Sequence, residues 1–183
     1  MCKKRCHWVN ADPVYIDYHD NEWGKPVYDD AKLYELFLLE TFQAGLSWIT
    51  ILHKRKYFQE AFDHFDVYKI SCYQEDKINE LMDNKNIIRN KRKILAAIKN
   101  AGIFIEIQKE FGSFSQYIWK FTNHEIIYLK DHEPVTTSEL SDMISKDLKK
   151  RGMSFVGSVT IYSYLEAIGI LNNHQKQCYL HVK

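Results

Sequence analysis

A chain of 183 residues, 45% of them apolar, is long enough for one compact domain with a sizeable core, taken here as residues 1–183. Only seven Gly and three Pro argue against a loop-rich sandwich or a disordered tail and favour helices. A net charge of +1 leaves nucleic-acid binding open, because such binding depends on a local patch, and four scattered cysteines exclude a disulfide scaffold.

In a reducing compartment those cysteines are metal ligands or buried thiols. The N-terminal MCKKRCHWVNADP has no apolar core of a signal peptide. The most apolar stretch, Leu33 to Leu52, is broken by Glu35, Glu40, Gln43 and Ser47, which excludes a membrane span. The expected location is cytoplasmic.

In chain order, the segment up to about Pro26 reads as irregular and rich in aromatic and polar residues. A helix follows, capped by Asp29 or Asp30 and running through KLYELFLLETFQA. It is apolar nearly all round, so it is buried rather than amphipathic. Glu40 therefore stands among Leu36, Phe37 and Ala44, where a carboxylate is paired, hydrogen-bonded or functional.

Residues 47–65 read as further helix. Ile78, Leu81 and Met82 mark one amphipathic face, NKNIIRNK a turn, and Ile94, Leu95 and Ile98 the next face. The segment from Lys85 to Lys99 holds six basic residues, Arg89 and Lys91 among them, and no acidic one. Residues 125–129 read as a short strand with no evident partner. Thr136 and Glu139 have capping-box spacing ahead of a helix that ends at Lys149, Lys150, Arg151 and Gly152. A last helix spans 158–168, with Val159, Tyr162, Leu165 and Ile168 on one face. The class is all-α.

Three features carry chemistry, each with a plainer alternative. Cys6, His19, His174 and Cys178 offer two thiolates and two imidazoles for a tetrahedral zinc, the last two at a spacing that puts them on one face of a helical turn. Cys2, His7 and His181 compete as ligands, and scattered surface His with buried Cys is the alternative. Tyr15, Tyr18, Trp23 and Trp48 surround the Glu40 helix and suit a flat, electron-poor ligand, although such rings are also ordinary core. The basic helix-turn-helix suits phosphate, although it also suits a solvated helix face.

The blocks CHWVNADPVYIDYHDNEWG and LETFQAGLSWITIL, with the later KKRGMSFVG and H-x3-C at His174 and Cys178, resemble the DNA-3-methyladenine glycosylase I family. The resemblance covers essentially the whole chain. It implies an all-helical, helix-hairpin-helix glycosylase fold with a zinc-bound extension made from both ends. By the same resemblance, Cys6, His19, His174 and Cys178 hold one structural zinc, and Glu40 contacts the methylated base within a pocket of Tyr18, Trp23 and Trp48. Asn86, Arg89 and Lys91 lie in the DNA-binding hairpin, while Gly45 and Leu46, with Gln43 a weaker candidate, fill the space of a flipped nucleotide. Asn86 stands where the family usually has glycine, and Asn is the non-glycine residue best suited to a left-handed turn.

The implied activity is monofunctional hydrolysis of the N-glycosidic bond of 3-methyladenine in double-stranded DNA, by a monomer that leaves an abasic site. The rival from another class is a non-catalytic, zinc-stabilised helical DNA-binding protein, which would not need Glu40 beside Trp48.

Overall fold

The computed structural model describes residues 3–129 and 135–182, so Cys2 lies outside the described residues. Among these, nine α-helices, two short 3-10 turns and one two-strand pairing account for the regular structure. No helix is long and apolar enough to cross a membrane.

Helix α1 (Pro13–Asn21) occupies part of the N-terminal segment expected to be irregular. Its start is nevertheless written in the sequence: the Asp12 carboxylate accepts the Val14 N–H, and proline opens the first turn, where a missing N–H costs nothing. Helix α2 (Asp30–Gln43) begins as expected, with the Asp29 carboxylate accepting the Lys32 N–H. Helix α3 (Trp48–Ala61) is shorter than the 47–65 expectation, because the chain turns at Phe62 into a 3-10 turn over Asp63–Phe65.

Helix α4 (Val67–Ser71), capped by Asp66, leads into α5 (Glu75–Asp83). The hairpin of 84–90 joins α5 to the long α6 (Lys91–Phe111), and α7 (Phe114–Trp119) follows.

Strand β1 (Ile127–Tyr128) does have a partner: it pairs in parallel with β2 (Leu171–Asn172). Helix α8 (Glu139–Lys150) is capped two residues later than its spacing suggested. Ser138 and Ser141 exchange the capping-box bonds in place of Thr136 and Glu139. Helix α9 (Ser158–Ala167) buries Ile161, Tyr162, Tyr164 and Leu165, while Val159, expected on its inner face, is exposed.

Helix α2 is the axis of the molecule. It packs against α3, α6, α7 and α9, which is why Leu33, Leu36, Phe37, Leu39 and Phe42 are all buried. Each such side chain contributes about 1.5–3 kcal/mol by leaving water. A second, smaller apolar cluster joins Cys6, Tyr18, Trp23, Leu52 and Cys178. Trp48 packs against both clusters and so sits at their seam. At Gly169, just after α9, an added Cβ would stand 2.3 Å from the Lys25 carbonyl carbon. Only glycine lets the two chain segments approach so closely.

Candidate active site and metal centre

A cavity of about 180 Å³ opens at that seam. Its lining includes Glu40 and Gln43 from α2, Tyr15 and Tyr18 from α1, Trp23 and Trp48. The Glu40 side chain is buried, and its Oε2 has no hydrogen-bond partner; the Trp48 indole N–H is equally unpartnered. Leaving a buried polar group unsatisfied costs about 1–3 kcal/mol, so two directional groups in one cavity mark a place for a polar ligand. Burial pushes the Glu40 carboxyl well above its usual range, and the nearby Glu166 charge adds to the effect. Tyr18 is raised in the same way, by burial and then by the Glu40 charge.

The walls are braced by aromatic contact. Trp8 meets Tyr15 at 4.9 Å and Trp23 at 5.0 Å between ring centroids, and Tyr18 meets Trp48 at 5.4 Å. Offset and edge-on pairs of this kind fix ring orientation as well as position.

Behind Trp23 lies the second feature. Cys6, His19, His174 and Cys178 are all buried, and their ligand atoms lie within 4.8 Å of one another. Sγ of Cys178 is 3.6 Å from Nδ1 of His174 and 3.5 Å from Nε2 of His19, and Sγ of Cys6 is 3.7 Å from Nδ1 of His174. A tetrahedral zinc with ordinary bond lengths places S and N ligands about 3.6 Å apart, so the donor set fits a metal of that kind.

The surroundings fit it too. Nδ1 of His19 lies 2.8 Å from the Asp20 carboxylate, which Arg5 holds through two further bonds of 2.8 and 2.7 Å. That arrangement turns Nε2 of His19 toward the cluster, as outer-shell carboxylates do at metal sites. Main-chain N–H groups of Gln175 and Leu180 point at the sulfurs of Cys6 and Cys178. His174 and Cys178 flank a short turn at 176–177 rather than lying on the helical turn their spacing suggested, and the Cys178 N–H bonds the Gln175 carbonyl. His7 and His181 stay outside the cluster: His7 bonds Gln175, and His181 bonds the His174 carbonyl.

Of the remaining sequence candidates, Gln43 lines the cavity, Gly45 and Leu46 follow α2, and Asn86, Arg89 and Lys91 lie on the hairpin or at the start of α6. Gly45, at φ +84°, makes the turn between α2 and α3, and Leu46 beside it is 39% exposed. Gln43 lines the cavity and also donates to the Leu46 carbonyl at 3.0 Å. In the hairpin Asn86 is exposed but does not adopt the left-handed conformation expected of it. The Asn84 side chain accepts the Asn86 N–H at 2.9 Å and shapes the turn instead. Arg89 is exposed and makes no ion pair among the described residues, whereas Lys91 faces Glu75 at 3.2 Å.

Three residues of the site had no part in the sequence reading. Trp8, Ser163 and Glu166 line the cavity. Trp8 stands within the CHWVNADP block, so a signal for it existed; Ser163 and Glu166 follow no motif. Lys93 was counted with the basic surface but is buried, its ammonium donating to the carbonyls of Phe42 and Ala44 at 2.7 Å each.

A family model described as methyladenine glycosylase matches residues 8–181. DNA-3-methyladenine glycosylase 1 of Escherichia coli is 42% identical over 178 residues, covering 96% of this chain and 95% of that protein. The DNA-3-methyladenine glycosylase of Haemophilus influenzae is 44% identical over 177 residues, with 95% and 96% covered. A crystal structure of a 3-methyladenine DNA glycosylase I variant in complex with 3-methyladenine superposes with a TM-score of 0.93 at 36% identity, covering 98% of both chains. Matched by the family model over residues 8–181 and by two relatives of 42–44% identity over nearly its full length, the chain belongs to the methyladenine glycosylase family.

Proposed function

We infer that the protein excises 3-methyladenine from alkylated DNA, acting in base-excision repair as a hydrolase of the N-glycosidic bond. The observation that carries this reading is Glu40, buried at the base of an aromatic cavity with an oxygen left for a ligand. A rival DNA-binding protein without catalysis has no use for a carboxylate so expensively placed.

Methylation at N3 gives adenine a positive charge and weakens its bond to deoxyribose. The enzyme therefore has to extrude the nucleotide, hold the base and admit water at C1′. Extrusion costs a few kcal/mol of stacking and pairing, which Leu46 offsets as an apolar wedge presented by the Gly45 turn. In the cavity, Trp48, Tyr18 and Trp23 attract the cation over neutral adenine by about 2 kcal/mol through their ring faces. Glu40 accepts hydrogen bonds from the base edge, and the incoming positive charge favours its ionised form.

Outside the cavity, the hairpin of 84–90 offers to a phosphate the Arg89 side chain and those main-chain N–H groups that, unlike Asn86, Ile87 and Asn90, are not bonded within the turn. Lys91, already facing Glu75, contributes less. The one buried lysine among the described residues, Lys93, is committed to two carbonyls and does not line the cavity. Among the described residues no lysine thus lines the cavity to form a Schiff base, which supports monofunctional hydrolysis to an abasic site. Cys6, His19, His174 and Cys178 would hold a structural zinc whose four protein ligands leave no open position for catalysis. The protein acts as a monomer of one domain on double-stranded DNA.

Incubation with methylated duplex DNA tests the reading. Free 3-methyladenine and alkali-labile abasic sites are expected, with no strand breaks before alkali. Direct incision would contradict the monofunctional assignment.

A further inference from the structure

Glu166 is the charged residue of the cavity that the mechanism above does not use. It lies in the last turn of α9, at the negative end of the helix dipole, where a carboxylate is disfavoured. It is mostly removed from water, and among the described residues no cation pairs with it. Among the described residues its one side-chain hydrogen-bond partner is Asn173, whose Nδ2 donates to Oε1 at 2.8 Å. It shares the cavity with Glu40, whose carboxyl it disfavours in the charged form. Three costs therefore fall on one side chain: burial, an unfavourable helix end and a like neighbour. A glutamine would keep the Asn173 bond and avoid all three.

What offsets these costs is a positive charge placed in the cavity. We propose that Glu166 is a specificity-determining residue of the base pocket, a second carboxylate that with Glu40 selects a cationic purine over a neutral one. The inference rests on the pocket reading given above and adds a second negative pole to it. Burial pushes Glu166 up to about 7, so a cation entering the cavity also draws this carboxylate into its ionised form. The pair gives discrimination by charge, independent of the hydrogen bonds that Glu40 makes to the edge of the base. Asn173 fixes the second pole, and its neighbour His174 ties that position to the metal cluster.

The test compares the wild type with Glu166→Gln at about pH 8, above the value of about 7 to which Glu166 is raised. Two probes are titrated against tryptophan fluorescence: 3,9-dimethyladeninium, a permanent cation, and 9-methyladenine, which is neutral. The variant is expected to bind the cation about tenfold more weakly, the size of effect suited to one charge removed from a largely buried site that stays open to solvent at the cavity, with the neutral base little changed. A purely structural role would weaken both probes together, and that result, or no change in either, would overturn the proposal. A wild type that does not prefer the cation at all would instead overturn the pocket reading, and this proposal with it.

Discussion

The Lys93 ammonium lies 2.7 Å from the carbonyl oxygen of Ala44, so the first turn of α6 holds the end of α2. The hairpin helix and the Gly45–Leu46 turn are thereby joined by one buried side chain. Lys93→Met keeps the aliphatic stem and leaves two carbonyls unpartnered, at an expected cost of about 1–3 kcal/mol in urea unfolding. Excision should fall while binding of the free base is retained, because the wedge loses its support and the cavity does not. Unchanged stability would show that water replaces the ammonium without loss.

The metal cluster should hold one zinc per chain by elemental analysis. Chelation under mild denaturant should cost about 3 kcal/mol, or about 10 °C in melting temperature for a chain of this length. The His174 ring packs edge-on against Trp23 at 4.8 Å, so base binding should weaken with the metal removed. A chelated protein with unaltered melting and base affinity would refute a structural role for the cluster.

Two surface changes separate DNA grip from base extrusion. Arg89→Ala should lower affinity for any duplex and reduce the salt dependence of binding by about 0.9 in log–log slope. Leu46→Ala should leave that slope intact yet slow excision about tenfold, as expected for an interaction made after docking. Equal behaviour of the two variants would argue against a wedge.

The two cavity carboxylates set a pH dependence of stability. Both are raised in the folded protein, Glu166 to about 7 from 4.5. The folded state then binds more protons than the unfolded one, so stability is greatest below the unfolded value and falls as pH rises toward 7. Glu166→Gln should remove part of that fall, making the variant more stable than wild type above neutrality by about 2 kcal/mol and not at about pH 4. Chemical denaturation at the two pH values provides the check, and a variant that is less stable at both would contradict it.

Much of this architecture was legible in the residues. The Asp29 cap, the all-round apolar α2 and the misfit of Glu40 mark a buried helix from sequence alone, and that helix is the centre of the fold. Helix α1 was missed because its polar and aromatic residues show no clear apolar face, although Asp12 and Pro13 announce its start. The strand partner of Ile127 lies beyond two further helices, at Leu171, where no local pattern points to it. Glu166 escaped notice for a related reason. Helix α9 is buried on several sides, so periodicity misassigned Val159 as internal and gave no sign of which face meets the cavity. The four residues of the buried cluster were legible as a candidate metal set drawn from both chain ends, but Cys2, His7 and His181 competed with them, and only the family resemblance favoured these four.

The most direct test of the central claim is the release of free 3-methyladenine from methylated duplex DNA by the wild type beside Glu40→Gln. Release by the wild type, with the variant still folded and slowed about a hundredfold, is the expected result for the loss of one buried charged contact to the reacting base. Equal release by both proteins would remove Glu40 from the chemistry, and no release by a folded, metal-loaded wild type would contradict the assigned activity itself.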